Sequence, residues 1–152
     1  MLFHAARWCH ENGIFVVVIA PNDGPLREKL IDLGVPVIID PLVASGHPSF
    51  ADFARDFDCV LANSLKSTAV ARALQKEDVP VVWWIHEPGS VGEHYLREDA
   101  ELRSALPLAE LVLAPSERTA RTSRPFTARP APVLRNAIPA LGLSPPHPSP
   151  GP

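Results

Sequence analysis

The feature that most constrains this sequence is a repeated change of hydrophobic period. Short β-branched runs, apolar at nearly every position, alternate with stretches whose apolar residues recur every three or four positions. Ile14–Ala20 (Ile-Phe-Val-Val-Val-Ile-Ala) is the plainest of the short runs. A strand of that kind is buried on both faces, and a helical stripe between two of them is a crossover. Pro25–Leu33 predicts the first such helix: Leu26, Leu30 and Leu33 form one stripe, Pro25 stands in the first turn, and Gly34 lies just past the end. Val35–Ile39, Cys59–Ala62, Val79–Ile85 and Leu108–Ala114 predict further strands. Phe50–Phe57, Leu65–Lys76 and Val91–Ala105 predict the helices between them. Ser116 is placed to cap a following helix, and Val133–Leu134 offers one more short strand. Met1–Asn12 reads as a helix closed by Gly13, with no strand ahead of it.

Strands alternating with helices of this length specify right-handed βαβ units. The expected class is α/β, a Rossmann-like three-layer α/β/α arrangement around a mostly parallel sheet. The 152 residues fit one domain. Nine of the 18 prolines lie at or after Pro125, and Ser144–Pro152 reads Ser-Pro-Pro-His-Pro-Ser-Pro-Gly-Pro. Proline fixes φ and lacks a backbone donor, so residues 140–152 are expected to be a disordered Pro-rich tail behind a folded domain over 1–139.

Charge narrows the function. With 14 basic and 17 acidic side chains the formal net charge is −3, leaving no positive field to neutralise a nucleic-acid backbone. No apolar run approaches the ~20 residues of a membrane helix, and no secretory leader is visible. Cys9 and Cys59 sit in apolar patterns and are expected to be buried thiols without a disulfide. The expected location is the cytoplasm, with peripheral attachment to the inner membrane face as a variant.

In an open parallel sheet, ligands gather beyond the carboxyl ends of the strands. Those ends carry Asn22-Asp23-Gly24, Asp40, Asn63-Ser64, His86-Glu87 and Ser116-Glu117. His86 is the sharpest candidate, because a rigid strand delivers it to the rim, where an imidazole can hydrogen-bond a ligand hydroxyl or carbonyl. The competing role is capping the next helix or bonding a loop carbonyl, and Glu87 reads as a loop or capping carboxylate ahead of a catalytic one. No metal is expected: His86 and His94 are eight apart with Pro88, Gly89 and Gly92 between them, so no one helix face presents both. Neither a P-loop, nor Gly-x-Gly-x-x-Gly, nor Gly-x-Ser-x-Gly occurs. Trp83 and Trp84 point to opposite faces of their strand and are expected to pack under helices. Arg118, Arg121, Arg124, Arg129 and Arg135 form either a solvated face or a contact for an anion or partner domain.

Five segments then occur in a telling order: Asp23-Gly-Pro-Leu26, Gly34-Val-Pro-Val37, Asp58-Cys-Val-Leu-Ala-Asn63, Pro80-Val-Val-Trp-Trp-Ile-His-Glu87 and Ala114-Pro-Ser116. Together they resemble the amino-terminal domain of glycosyltransferase family 4, the retaining GT-B group, over Leu2–Pro139. The resemblance implies a domain that holds the acceptor, facing a second domain that binds a nucleotide-diphosphate sugar. It implies that His86 contacts the transferred sugar and is the catalytic-site residue; the strand-end pattern adds Asp23, Gly24, Asn63, Ser64, Glu87 and Ser116 as the residues expected to bind substrate. Transfer would proceed with retention and without metal or cofactor, basic residues stabilising the departing diphosphate. The implied partners are an acceptor sugar, lipid-linked glycan or other small acceptor, and a carboxyl-terminal donor-binding domain in trans or in a longer chain. Two departures stand out. The family's first strand and its Gly-containing loop have no counterpart before Met1, and Val133–Pro139 resembles the interdomain crossover without a donor-binding domain after it. The expectation is a truncated domain inactive alone. The alternative is a non-catalytic α/β binding or regulatory module that docks a partner through residues 118–135.

Overall fold

The computed structural model describes residues 2–87 and 89–135. The chain opens with α1 (Leu2–Glu11) and proceeds through β1 (Val18–Ala20), α2 (Pro25–Asp32) and β2 (Val37–Ile39). A 3-10 turn (Pro41–Ser45), α3 (Pro48–Ala54) and β3 (Val60–Asn63) follow. A second 3-10 turn (Leu65–Ser67) leads into α4 (Thr68–Gln75), β4 (Val81–Trp84), α5 (Gly89–Glu98) and α6 (Ala100–Ala105). Last come β5 (Leu111–Leu113) and α7 (Glu117–Ser123). The expected α/β alternation is present, and every ladder among the described residues is parallel.

The strands are shorter than their apolar runs. Of Ile14–Ala20 only Val18–Ala20 is paired, in register with Val37–Ile39. Pro36 has no N–H to extend the ladder backwards and only accepts, from Val18 N at 2.9 Å. Ile14 and Phe15 therefore stand outside the strand, 48% and 74% exposed, with the Phe15 ring stacked on Phe57. The expected helix over Val91–Ala105 is two helices. Asp99 interrupts it in extended backbone and caps α6, its Oδ1 accepting from Leu102 N at 2.9 Å. The predicted Val133–Leu134 strand is a single bridge from Val133 to Ala114. Cys59 is exposed, correcting the expectation of a buried thiol, because the ladder begins one residue later at Val60; Cys9 is half-buried, and both are free. The Pro-rich segment 140–152 and the end of the crossover-like segment lie outside the described residues.

The parallel sheet comes in two parts, β1-β2 and β3-β4-β5. Among the described residues no ladder joins β1 to β3, so each has one edge without a strand partner. The core is divided in the same way: Ala6, Val18, Leu30 and Val35 pack between α1, α2 and the first sheet. The larger cluster is built on β3–β5 and includes Phe50, Leu74, Trp83, Ile85, Leu96, Leu102 and Leu106. Successive strand residues face opposite ways. Val18 belongs to the first cluster and Ile19 packs against the second, so helical layers cover both faces of β1. Trp83 and Trp84 are both buried, as expected. No helix among the described residues is long and apolar enough to cross a membrane.

Gly46 locks the first 3-10 turn against α4. Its φ is +65°, in the left-handed region, and a Cβ there would land on the Ala69 carbonyl. Gly46→Ala is expected to destabilise the fold by more than the ~1–2 kcal/mol of the left-handed conformation alone. Gly24→Ala, in extended backbone with nothing within 4 Å of the added carbon, is expected to stay within about 0.5 kcal/mol. Urea unfolding of the two variants checks this; equal effects would contradict the packing described.

Candidate functional site

β4 lies between β3 and β5, with Asn63 paired to Trp84 and Trp84 to Leu113. Ladder partners share a face, so the Asn63 and Trp84 side chains lie side by side. His86, two residues beyond Trp84, packs its ring against that indole, with centroids 4.4 Å apart and planes inclined 43°. Asn63 Oδ1, Trp84 Nε1 and His86 Nε2 are all buried and find no hydrogen-bond partner among the described residues. Buried polar atoms are seldom left so, and three at adjoining strand ends are a concentrated exception. The structure thus brings together two expected site residues, Asn63 and His86, and adds Trp84, which the sequence reading assigned to the core.

Ser64 and Glu87 reach the same rim in another capacity. Glu87 Oε1 accepts from Leu65 N at 2.8 Å, and Oε2 accepts from His86 N at 3.0 Å. Ser64 Oγ accepts from Lys66 N at 3.1 Å, while its backbone carbonyl accepts from Trp83 Nε1 at 2.8 Å. Both side chains are committed to the protein. For Glu87 this is the capping role that competed with ligand binding in the sequence. Ser116, at the start of α7, is likewise occupied: its Oγ accepts from Thr119 N at 3.2 Å.

Asp23 and Gly24 stand apart. With Pro25, Arg27, Glu28 and Ile31 they line an open depression of about 700 Å³ that includes none of Asn63, Ser64, His86, Glu87 or Ser116. The Asp23 carboxylate accepts from Gly24 N and from the Arg27 guanidinium, which together hold its pKa below the usual carboxylate value. Asp40 caps the first 3-10 turn through Leu42 N. In the arginine stretch, Arg118 pairs with Glu93 and Arg129 with Glu110. Among the described residues no three His, Cys, Asp or Glu side chains gather as a metal site would require.

Burial pushes the His86 imidazole below its ordinary value of 6.5, and the neighbouring Glu87 carboxylate opposes the shift. At neutral pH the ring is therefore uncharged, with one nitrogen a donor and the other an acceptor. A neutral imidazole, an amide oxygen and an indole N–H make a mixed set, suited to a ligand that both donates and accepts.

Comparison with known proteins agrees with this architecture. The chain is similar in structure to Anabaena Alr3699/HepE, crystallised in complex with UDP-glucose, with a TM-score of 0.69 and 24% sequence identity. That likeness shows the fold, similar to the GT-B glycosyltransferase arrangement; it covers 90% of this chain and 39% of the other. No curated protein matches the sequence. The family model described as Glycosyltransferase Family 4 matches residues 1–139. With nearly all of the sequence inside that match, the chain belongs to glycosyltransferase family 4, as its amino-terminal domain.

Proposed function

We propose that this chain is the acceptor-side domain of a retaining glycosyltransferase, and that it handles sugar at the ends of β3 and β4. The observation that carries the reading is the set of unpartnered polar atoms on Asn63, Trp84 and His86. Sugar hydroxyls donate and accept at once, so they can complete an indole donor, an amide acceptor and a neutral imidazole together. These atoms are shielded from solvent, and a hydroxyl reaches them by displacing the half-buried His86 ring from Trp84. The cost of leaving such groups unpaired is what gives a site of this kind preference for a hydroxyl-bearing ligand.

In this reading His86 touches the transferred sugar. Asn63 and Trp84 hold the same ligand, while Ser64, Glu87 and Ser116 shape the rim from behind. Asp23 and Gly24 bind substrate only through their own depression, on the acceptor side. The nucleotide-diphosphate sugar is held by a region outside these 152 residues, where basic groups stabilise the departing diphosphate. No cofactor takes part. The similar structure, of which this chain spans 39%, was crystallised with UDP-glucose, which supports a nucleotide sugar as the donor class. Docking a partner through residues 118–135 has less to build on, since Arg118 and Arg129 are already paired.

The test is saccharide binding to the purified chain, followed by tryptophan fluorescence with glucose, galactose, mannose and N-acetylglucosamine. His86→Ala is expected to weaken binding about fivefold to tenfold, the worth of one hydrogen bond, without changing the thermal midpoint by more than a few degrees. Unchanged affinity would overturn the assignment. No transfer from UDP-glucose is expected of this chain alone, and robust turnover would contradict the division of labour.

The titration of His86 gives a second outcome. Its folded pKa is lowered below 6.5, so between the two values the unfolded chain binds a proton that the folded chain refuses. This contribution to stability is intact above 6.5 and is lost as pH falls through the folded value. Urea midpoints compared at about pH 7.5 and about pH 5.5 should fall further for the wild type than for His86→Gln; parallel declines would contradict the burial argument.

A further inference from the structure

Ser64 has φ 101° and ψ 150°, backbone that glycine adopts readily and other residues rarely. Within its own turn, Ser67 N donates to the Ser64 carbonyl and Lys66 N to its Oγ; the bonds that tie it to the neighbouring strand come from the β4 side. Ser64 N donates to the Trp84 carbonyl at 3.0 Å, and the Ser64 carbonyl accepts from Trp83 Nε1 at 2.8 Å. The next amide, Leu65 N, donates to Glu87 Oε1, and the other oxygen of the same carboxylate accepts from His86 N.

From this geometry we infer that Glu87 is a positioning residue: its carboxylate clamps the turn after β3 onto the end of β4, holds Ser64 in its strained conformation, and so fixes the Asn63–Ser64 tip relative to the His86 ring. The chemistry is specific to a carboxylate of this length. Two acceptor oxygens meet two N–H donors, one on each strand's continuation, and hydrogen bonds to a charged acceptor are the stronger kind. A glutamine presents only one acceptor oxygen, and its amide group opposes the second N–H. An aspartate is one methylene shorter. The residue resembles a ligand-binding carboxylate in the sequence, yet it acts through His86 and Ser64. Its bearing on sugar handling rests on the reading of His86 above, whereas the clamp itself is independent of it.

The test is a double-mutant cycle on the full chain. Glu87→Ala should lower the folding equilibrium constant at least about tenfold. In a Ser64→Gly background, where the turn needs no holding, the same substitution should cost about fivefold less. In a Ser64→Ala background, which removes the hydroxyl but keeps the strain, the full penalty should return. Additive effects across the glycine cycle would overturn the inference. If Glu87→Ala does not fold, the cycle is run with Glu87→Gln, for which a smaller coupling of the same sign is expected and additivity again overturns it.

A second readout separates positioning from mere support. The two clamped amides, Leu65 N–H and His86 N–H, should both shift by NMR in Glu87→Gln, and the imidazole should titrate at lower pH once the charge that raises its pKa is gone. An unmoved Leu65 amide, 22 residues away in sequence, would also overturn the clamp. Neither measurement involves a sugar. Loss of coupling with intact saccharide binding rejects the clamp alone, and intact coupling without saccharide binding rejects the functional reading alone.

Discussion

The parallel ladder on both sides of β4 is the constraint on which the rest depends. β4 is bonded to β3 over Val81–Trp84 and to β5 over Val82–Trp84, so its direction and register are fixed twice. Trp83 on one face is wholly buried and anchors the larger core, while Trp84 on the other face is 3% exposed and turns toward Asn63. Once those two rings are seated, the chain has no freedom over where His86 emerges. Ile85, wholly buried and bonded through its N–H to Leu113, completes the restraint. A site built from strand continuations in this way inherits the rigidity of the sheet.

A different constraint acts on the first sheet. β1 and β2 share a small core with α1 and α2, and no ladder joins β1 to β3 among the described residues. Parallel strands are ordinarily covered and paired on both sides. The rim that carries Asn63, Trp84 and His86 is built on the larger core, and the Asp23 depression lies beside the smaller one. This is why the expected substrate residues fall into two groups.

Much of this was legible in the sequence because it depends on local pattern. The β-branched runs, the Pro25 and Gly34 bounds of α2 and the Ser116 cap each reflect interactions within a few residues, and all appear in the structure. Strand lengths were not legible, since pairing is decided by the neighbour: Pro36 ends the ladder that Ile14–Ala20 alone would continue. The Asp99 break was within reach, because an aspartate three residues ahead of Leu102 is a cap signal, but the helical stripe over Val91–Ala105 masked it. Glu87's capping role was legible, but its partner was not, since Leu65 lies 22 residues away. Trp84 could have been found: residues two apart on a strand share a face, which ties it to His86. Bulk and apolarity instead pointed to the core, and the indole is both core and rim.

The proposed role of the strand ends is to hold a sugar against His86. The most direct measurement is a crystal structure of this chain soaked with the saccharide that binds best. A sugar hydroxyl is expected within about 3 Å of a His86 ring nitrogen, with Asn63 Oδ1 or Trp84 Nε1 also engaged. A sugar seated in the Asp23–Ile31 depression, with the His86 ring still packed on Trp84, would contradict it.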